Sequence, residues 1–412
     1  MPEPALLLQE LAQTLMVRGH EVEVLTGFPN YPSGKLYPGY TLCLRQHETI
    51  AGVPVARVPL YPNHSRSGIQ RVFNYLSFAL SAALLGKGAV KSPDVIFVYH
   101  PPLTISIPAY VLSRLWKVPF VYQIQDMWPE TLRATGMLNN SVALAAVGKF
   151  ARWVYAKAAA ICVISPGFRR NLLEKGVPDD RIHITSNWVD PDTYPVAEAD
   201  SELARELGLE GYFNIMFAGN LGEAQGLESV LGAAQLLQDI PAVQFVFVGS
   251  GVAGPRLRKI VQDKGLTNVL FLGRYQAARM PALYALADVL LIHLRDDPLF
   301  RITIPSKTYA YLASGKPIVA AVAGDAADVV VDAGAGVACP PENPTELAKT
   351  IRSLFSLDAS ELRSMGQHGR ESAQTTYSRA YAVRQIETVL MSVVEHQAAK
   401  AVQPRAGLSD EV

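Results

Sequence analysis

Cysteine is nearly absent from this chain. Cys43, Cys162 and Cys339 are odd in number and far apart, and two of them lie in or beside apolar runs. Neither a disulfide framework nor a metal site can be read from them, which fits a reducing cytosol. Net charge is absent as well: lysine plus arginine equals aspartate plus glutamate at 37 each, so no global field draws the protein to nucleic acid. No apolar run reaches the length of a membrane span, and the N-terminus lacks the basic-then-apolar layout of a signal peptide. The expectation is a cytoplasmic protein. What is present is 412 residues at 49% hydrophobic content, room for two or three domains with buried cores.

The order of elements sets the fold class. Ala5 to Arg18 reads as an amphipathic helix stopped at Gly19, and Glu21 to Thr26 as a strand. GFPNYPSGKLYPGY, Gly27 to Tyr40, follows as a long ordered loop beyond a strand end, the usual place for binding residues, and it carries Asn30, Tyr31 and Lys35. Arg57, Asn63, His64 and Arg66 add polar groups nearby, His64 as a solvated loop histidine. Val72 to Leu85 is an apolar helix interrupted by Asn74, Ser77 and Ser81 and preceded by Arg66 and Arg71. It is either a core-packing helix of an α/β domain or an interfacial helix that rests on a membrane.

Strands at Val95 to Tyr99, Phe120 to Ile124 and Ala160 to Ile164 alternate with helices from about Ile105 to Trp116 and Val142 to Ala158, which predicts a parallel, doubly wound sheet. Its strand ends carry His100, then Gln125, Asp126, Trp128 and Glu130, then Ser165 and Gly167. Asp126 and Glu130 are the best carboxylates for acid/base or hydroxyl-binding work, with helix capping as the alternative for each. Asn187 to about Gly211 loosens into proline and acidic residues, an interdomain connection. A second α/β unit then runs through strands at Phe213 to Ala218, Gln244 to Val248, Val269 to Leu272 and Val289 to Leu294. Their ends carry Gly219 and Asn220, the GSGVAG run from Gly249, then Arg274 and Tyr275, then Asp296, Asp297 and Arg301, and together they define one ligand-binding rim.

IPSKTYAYLASGKPIVAAV, Ile304 to Val322, closes that rim. It reads as a turn with Pro305, Ser306 and Lys307, a helix from Thr308 to Ala313, a stop at Gly315 and a buried strand. A loop opening into a helix presents backbone N–H groups and the positive end of the helix dipole, a seat for a diphosphate beside a hydroxyl and an ammonium. The competing reading is a plain helix start with a solvated lysine.

Taken together, TGFPNYPSGKLYPGY, QDMWPE (Gln125 to Glu130), VISPGFRRNL (Val163 to Leu172), FAGNLGEAQGLE (Phe217 to Glu228) and IPSKTYAYLASGKP resemble a family 4 glycosyltransferase of the GT-B fold. The branch it resembles builds bacterial surface polysaccharides and includes fucosamine transferases. The resemblance implies two Rossmann-like doubly wound domains facing a cleft: an acceptor-side domain over residues 1–190 and a nucleotide-sugar-binding domain over 191–377. A C-terminal helix, 378–397, packs back toward the first domain, and a disordered tail covers 398–412.

It also implies a UDP-linked sugar as donor, transfer with retention of configuration, no cofactor and no required metal. The acceptor is a lipid-linked saccharide met at the cytoplasmic face of the membrane through a peripheral contact, and no nucleic acid takes part. Gly219, Asn220 and Gln225 stand at the donor diphosphate, Arg274 and Tyr275 at the base-binding loop, and Pro305, Ser306 and Lys307 at the phosphate-facing turn. Asp126 inherits a catalytic, acceptor-side role; Asn30, Tyr31, Lys35 and Glu130 join it there.

Three departures accompany the resemblance. Relatives begin with a strand and a glycine-containing loop, so the first strand of the N-terminal domain is expected to be missing. Their spaced glutamates fall here on Ile302 and Ala310, and their arginine and lysine at the diphosphate fall on Asn220 and Gln225. Two other classes stay open: a nucleotide-sugar 2-epimerase, which shares the fold but needs several cleft carboxylates and histidines, and a non-catalytic nucleotide-sugar-binding protein.

Overall fold

The computed structural model describes residues 3–31, 33–63 and 68–402. It divides into two compact units, the first made of Met1–Ile164, Arg169–Thr185 and Val383–Val412, the second of Ser165–Phe168 and Ser186–Ala382.

In the first unit the strands are β1 (Val24–Gly27), β2 (Gln46–Ile50), β3 (Val53–Val58), β4 (Ile96–Tyr99), β5 (Phe120–Ile124), β6 (Ala160–Val163) and β7 (Ile182–Ile184). They form two sheets, ordered β1-β3-β2 and β4-β5-β6-β7. β4 to β7 are parallel throughout, and β5 and β6 are buried along their whole length, as parallel strands between helices must be. β2 and β3 are an antiparallel hairpin turned at Ala51 and Gly52, both at positive φ (49° and 86°), the geometry of a two-residue hairpin turn. That hairpin is a difference from the sequence reading, which has no strand between Thr26 and Val95; QHETI carries one strong apolar residue and so gives no strand signal. The single doubly wound sheet expected here is also divided, because β1 pairs with β3 alone and β4 with β5 alone.

The second unit carries β8 (Phe213–Ala218), β9 (Val243–Val248), β10 (Val269–Gly273), β11 (Val289–His293), β12 (Ile318–Ala321) and β13 (Gly336–Cys339) in one parallel sheet, ordered β10-β9-β8-β11-β12-β13. The reversal of order beside β8 is a topological switch point, where α/β sheets bind ligands beyond the strand ends. Apolar cores cover both faces, one around Met216, Leu290 and Tyr311, the other around Phe217, Phe245 and Leu291. Both units are Rossmann-like.

Two further differences have local causes. The loosened connection after Asn187 contains a helix, Ser201–Glu206, because Asp200 accepts hydrogen bonds from the backbone N–H groups of Glu202 and Leu203 and caps it. The last helix, Arg379–Val402, runs past residue 397, since Gln397 to Ala401 is a row of helix formers; residues 403–412 of the expected tail lie outside the described residues. Within the first unit Val389, Leu390 and Val393 of this helix pack on Val121, Ala160 and Cys162. Its Glu387 binds Arg18 and His20, each at 2.7 Å. Among the described residues no helix is long and apolar enough to cross a membrane.

Candidate active site

The second unit gathers its polar groups at the ends of β8, β9 and β11. The helix Ser306–Ser314 starts at Pro305, which brings no side-chain oxygen to cap it. One turn in, the Tyr311 hydroxyl accepts from the Ala218 backbone N–H (2.9 Å) and lies 3.2 Å from the Ala218 carbonyl, pinning the helix to the end of β8. Lys307 lies four residues before Tyr311, on the same helical face. Its ammonium stands 3.5 Å from the centre of the Phe217 ring, a cation–π contact, and a Cβ on Gly219 would lie 3.0 Å from its Nζ. Sequence reasoning placed Lys307 at a phosphate-facing turn; the fold holds it against the β8 strand end. Ser306 is exposed beside it.

Glycine makes this close approach feasible. Gly249 has φ +141°, and a Cβ there would fall 1.8 Å from the Gly219 carbonyl oxygen, so the ends of β8 and β9 touch backbone to backbone. The turn after Gly219 is held from within: Gln225 Oε1 accepts from the Gly222 N–H at 3.1 Å, and Asn220 sits exposed beside Gly222 and Gly251. Gly219, Asn220, Gln225, Pro305, Ser306 and Lys307 are therefore neighbours. Arg274 and Tyr275 follow β10; Arg274 is exposed and Tyr275 packs partly on the core.

His293 was missed in the sequence, where it reads as part of a buried strand. It is the last residue of β11 and is buried, with Nδ1 at 2.5 Å from the Gln225 carbonyl and Nε2 at 2.8 Å from Ser229 Oγ. Burial pushes its pKa down, so the neutral ring braces the Gly222–Gly226 turn as a spacer between two oxygens. A polar residue closing an apolar strand was the available signal. The positions of the family's glutamates hold no carboxylate: Ile302 lies against Gly167, and Ala310 is in the core.

In the first unit Asp126 follows β5. The short helix after it, Glu130–Ala134, has Pro129 at its N-cap position and no side-chain cap, so Asp126 is not its cap. Burial raises the Asp126 pKa, and at the end of β4 the Tyr99 phenol is pushed up by its own burial first and by the Asp126 charge second. His100, one residue further, is fully buried against Tyr122 and Trp128, and burial lowers its pKa to about 3.

The other first-unit candidates have internal partners. Glu130 is ion-paired with Lys175 at 2.7 Å. Asn30 donates to the Phe28 carbonyl (2.9 Å) and accepts from Asn74 (3.2 Å). Arg57 is buried between Glu48 and the Gly27 carbonyl. Tyr31 and Lys35 are exposed on the loop after β1, and His64 and Arg66 lie outside the described residues.

Two family models match the chain: "Glycosyl transferase 4-like domain" over residues 5–188 and "Glycosyl transferases group 1" over residues 212–356. Among curated proteins it is 29% identical to a putative colanic acid biosynthesis glycosyl transferase, WcaI, of Escherichia coli (strain K12), over 91% of this chain and 93% of the relative. It is 27% identical to a probable glycosyltransferase, WbjE, of Pseudomonas aeruginosa, over 76% of each. Solved structures share the fold: sucrose-phosphate synthase of Thermosynechococcus elongatus at TM-score 0.70, 16% identical, covering 94% of this chain and 93% of that one. HepE of Anabaena, solved with UDP and glucose, superposes at TM-score 0.63, 20% identical, covering 83% and 87%.

Proposed function

Given that the chain belongs to the glycosyltransferases of GT-B fold, a 4-like domain followed by a group 1 domain, in polysaccharide biosynthesis, we propose what it transfers. It moves a sugar of the amino or deoxyamino type from a UDP-linked donor to a polyprenyl-diphosphate-linked or growing polysaccharide acceptor, with retention of configuration. The observation that carries this reading is Lys307, held over Phe217 and against Gly219 at a capless helix start. An ammonium and backbone N–H groups at one point suit a diphosphate, and they are worth most when the leaving group takes up negative charge. The UDP in the HepE structure supports the choice of nucleotide.

In the transfer the acceptor hydroxyl oxygen bonds to the anomeric carbon while the bond from that carbon to the diphosphate oxygen breaks. The leaving nucleoside diphosphate keeps the electron pair and takes the hydroxyl proton. Lys307, with the amides of Ser306 and Lys307, stabilises the departing phosphate, and Asp126 positions the acceptor hydroxyl. The test is incubation with a panel of labelled UDP-sugars and bacterial lipid extract, scored for label in the lipid phase. Label there from an N-acetylated amino-sugar donor is expected; donor binding without transfer across the panel would leave a nucleotide-sugar-binding protein.

A further inference from the structure

The helix Gly68–Leu85 keeps a row of large apolar side chains off the body of the first unit. Three of its polar residues face the body of the first unit. Asn74 is 8% exposed and donates to the Tyr61 carbonyl at 2.7 Å, Ser77 Oγ accepts from the Tyr61 N–H at 2.8 Å, and Ser81 Oγ donates to the Pro59 carbonyl. Ala79 and Ala82 are buried beside them. Phe78 and Leu85 pack on the small core around Ala82, but the other large apolar side chains point the other way: Phe73 is 60% exposed, Leu80 62% and Leu84 71%, with Val72 and Leu76 also exposed. The 73-76-80-84 spacing puts them on one stripe, about 16 Å long at 1.5 Å per residue. Scattered exposed leucines are ordinary, but a continuous stripe marks a surface that meets something apolar.

Charge selects the partner. The sequence holds no aspartate or glutamate between Glu48 and Asp94, while Arg71 lies in the first turns of the helix and Lys87 just beyond its end. The Arg45 guanidinium adds a third cation at that end, where a Cβ on Gly88 would lie 2.7 Å from it. An apolar stripe with cations at both ends and no acidic residue along the helix suits a negatively charged bilayer, whose headgroups meet the cations while the stripe enters the acyl boundary.

We propose that the 72–84 face of this helix seats the first unit on the surface of an anionic lipid bilayer. The purpose of that seat rests on the lipid-linked acceptor proposed above; the binding itself does not. The Tyr61 loop is tied to the inner face by Asn74 and Ser77, which fixes which face of the helix looks outward.

The experiment is co-sedimentation of the full chain with vesicles of phosphatidylethanolamine and phosphatidylglycerol, against vesicles of phosphatidylcholine. Binding to the anionic vesicles that weakens as salt rises is expected, because exposed charges are screened over about 8 Å at physiological ionic strength. Leu80→Gln with Leu84→Gln, and separately Arg71→Glu with Lys87→Glu, should each lower the partition at least tenfold. Val252→Gln, an exposed apolar residue of the second unit, should leave it unchanged.

As a readout that survives a misfolded double variant, the Phe73→Trp variant should shift its emission to the blue on anionic vesicles, by more than the parent does. Absence of vesicle binding by the parent, double variants that bind like the parent, or no added shift from the Phe73→Trp variant would overturn the proposal. So would a lipid-free dimer that Leu80→Gln with Leu84→Gln converts to monomer, since the stripe would then join two copies. Transfer to a detergent-solubilised acceptor separates the two readings: its absence in the parent counts against the transferase proposal only, and its retention in the leucine variant is expected here.

Discussion

The two units use one β/α plan for opposite ends. In the second, a single sheet brings the polar strand ends together, and Gly219 and Gly249 let backbones and the Lys307 ammonium approach where any side chain would intrude. In the first, the strands fall into two sheets, and most polar candidates satisfy one another: Arg57 with Glu48, Asn30 with Asn74, Glu130 with Lys175. Glycine at the strand ends thus marks where backbones and an ammonium can meet, whereas the polar residues of the first unit mark internal ties. Asp126 stands outside those ties, and it supplies the sharpest contrast.

The largest expected effect is at Asp126. Asp126→Asn should lower the transfer rate about 10²–10⁴-fold with UDP affinity unchanged. Its stability should move the other way. Burial raises the folded-state pKa, so the stability this group contributes is full below the unfolded value of about 3.9 and is lost as pH rises through the folded value. At neutral pH the asparagine variant should therefore melt higher than the parent, with the advantage vanishing in acid. A variant with full rate and an unchanged melting profile would reduce Asp126 to a surface residue and erase the contrast.

Next comes the backbone contact. Gly249→Ala places a methyl 1.8 Å from the Gly219 oxygen at a positive φ, and should cost more than about 3 kcal/mol of stability. Gly39→Ala, in the first-unit loop, has the same backbone handedness with nothing within 4 Å and should cost about 1 kcal/mol. Equal losses in chemical denaturation would mean that the β8–β9 contact is no tighter than an open loop.

Lys307→Ala should weaken UDP binding about tenfold or more, the loss of a charge-assisted contact of roughly 1.5 to 3 kcal/mol. Calorimetry showing parent-like affinity would remove Lys307 from the donor seat. The smallest effect belongs to Glu130→Gln. It leaves Lys175 half-buried without its carboxylate, at about 1 kcal/mol of stability, and transfer should continue. A collapse of turnover there, at parent-like stability, would return Glu130 to the acceptor side.

Much of the second unit is legible in the chain. NIMFA, QFVFV and VLLIH are buried strands bounded by glycine or polar clusters, and each is a strand in the fold. The hairpin Gln46–Val58 is not legible, because an edge strand like QHETI owes its pairing to β3 and not to its own apolar content. The Ser201–Glu206 helix was hidden by acidic residues that read as a linker but serve as a cap and a first turn. Lys307 was named from a helix start, while His293 escaped notice because its role depends on Gln225 and Ser229, far away in sequence.

Local periodicity and turn chemistry are enough for the alternation of apolar runs and helices, hence two Rossmann-like units, and for the glycines and lysine at the strand ends of the second unit. Only the tertiary structure decided which polar groups are already paired and which way the Gly68–Leu85 helix faces. The composition of that helix fits a core or a membrane surface; the hydrogen bonds of Asn74, Ser77 and Ser81 to the loop at Pro59 and Tyr61 turn Leu76, Leu80 and Leu84 outward. A periodicity states that two faces differ, and only the partners each face finds in the folded chain state which of them is inside.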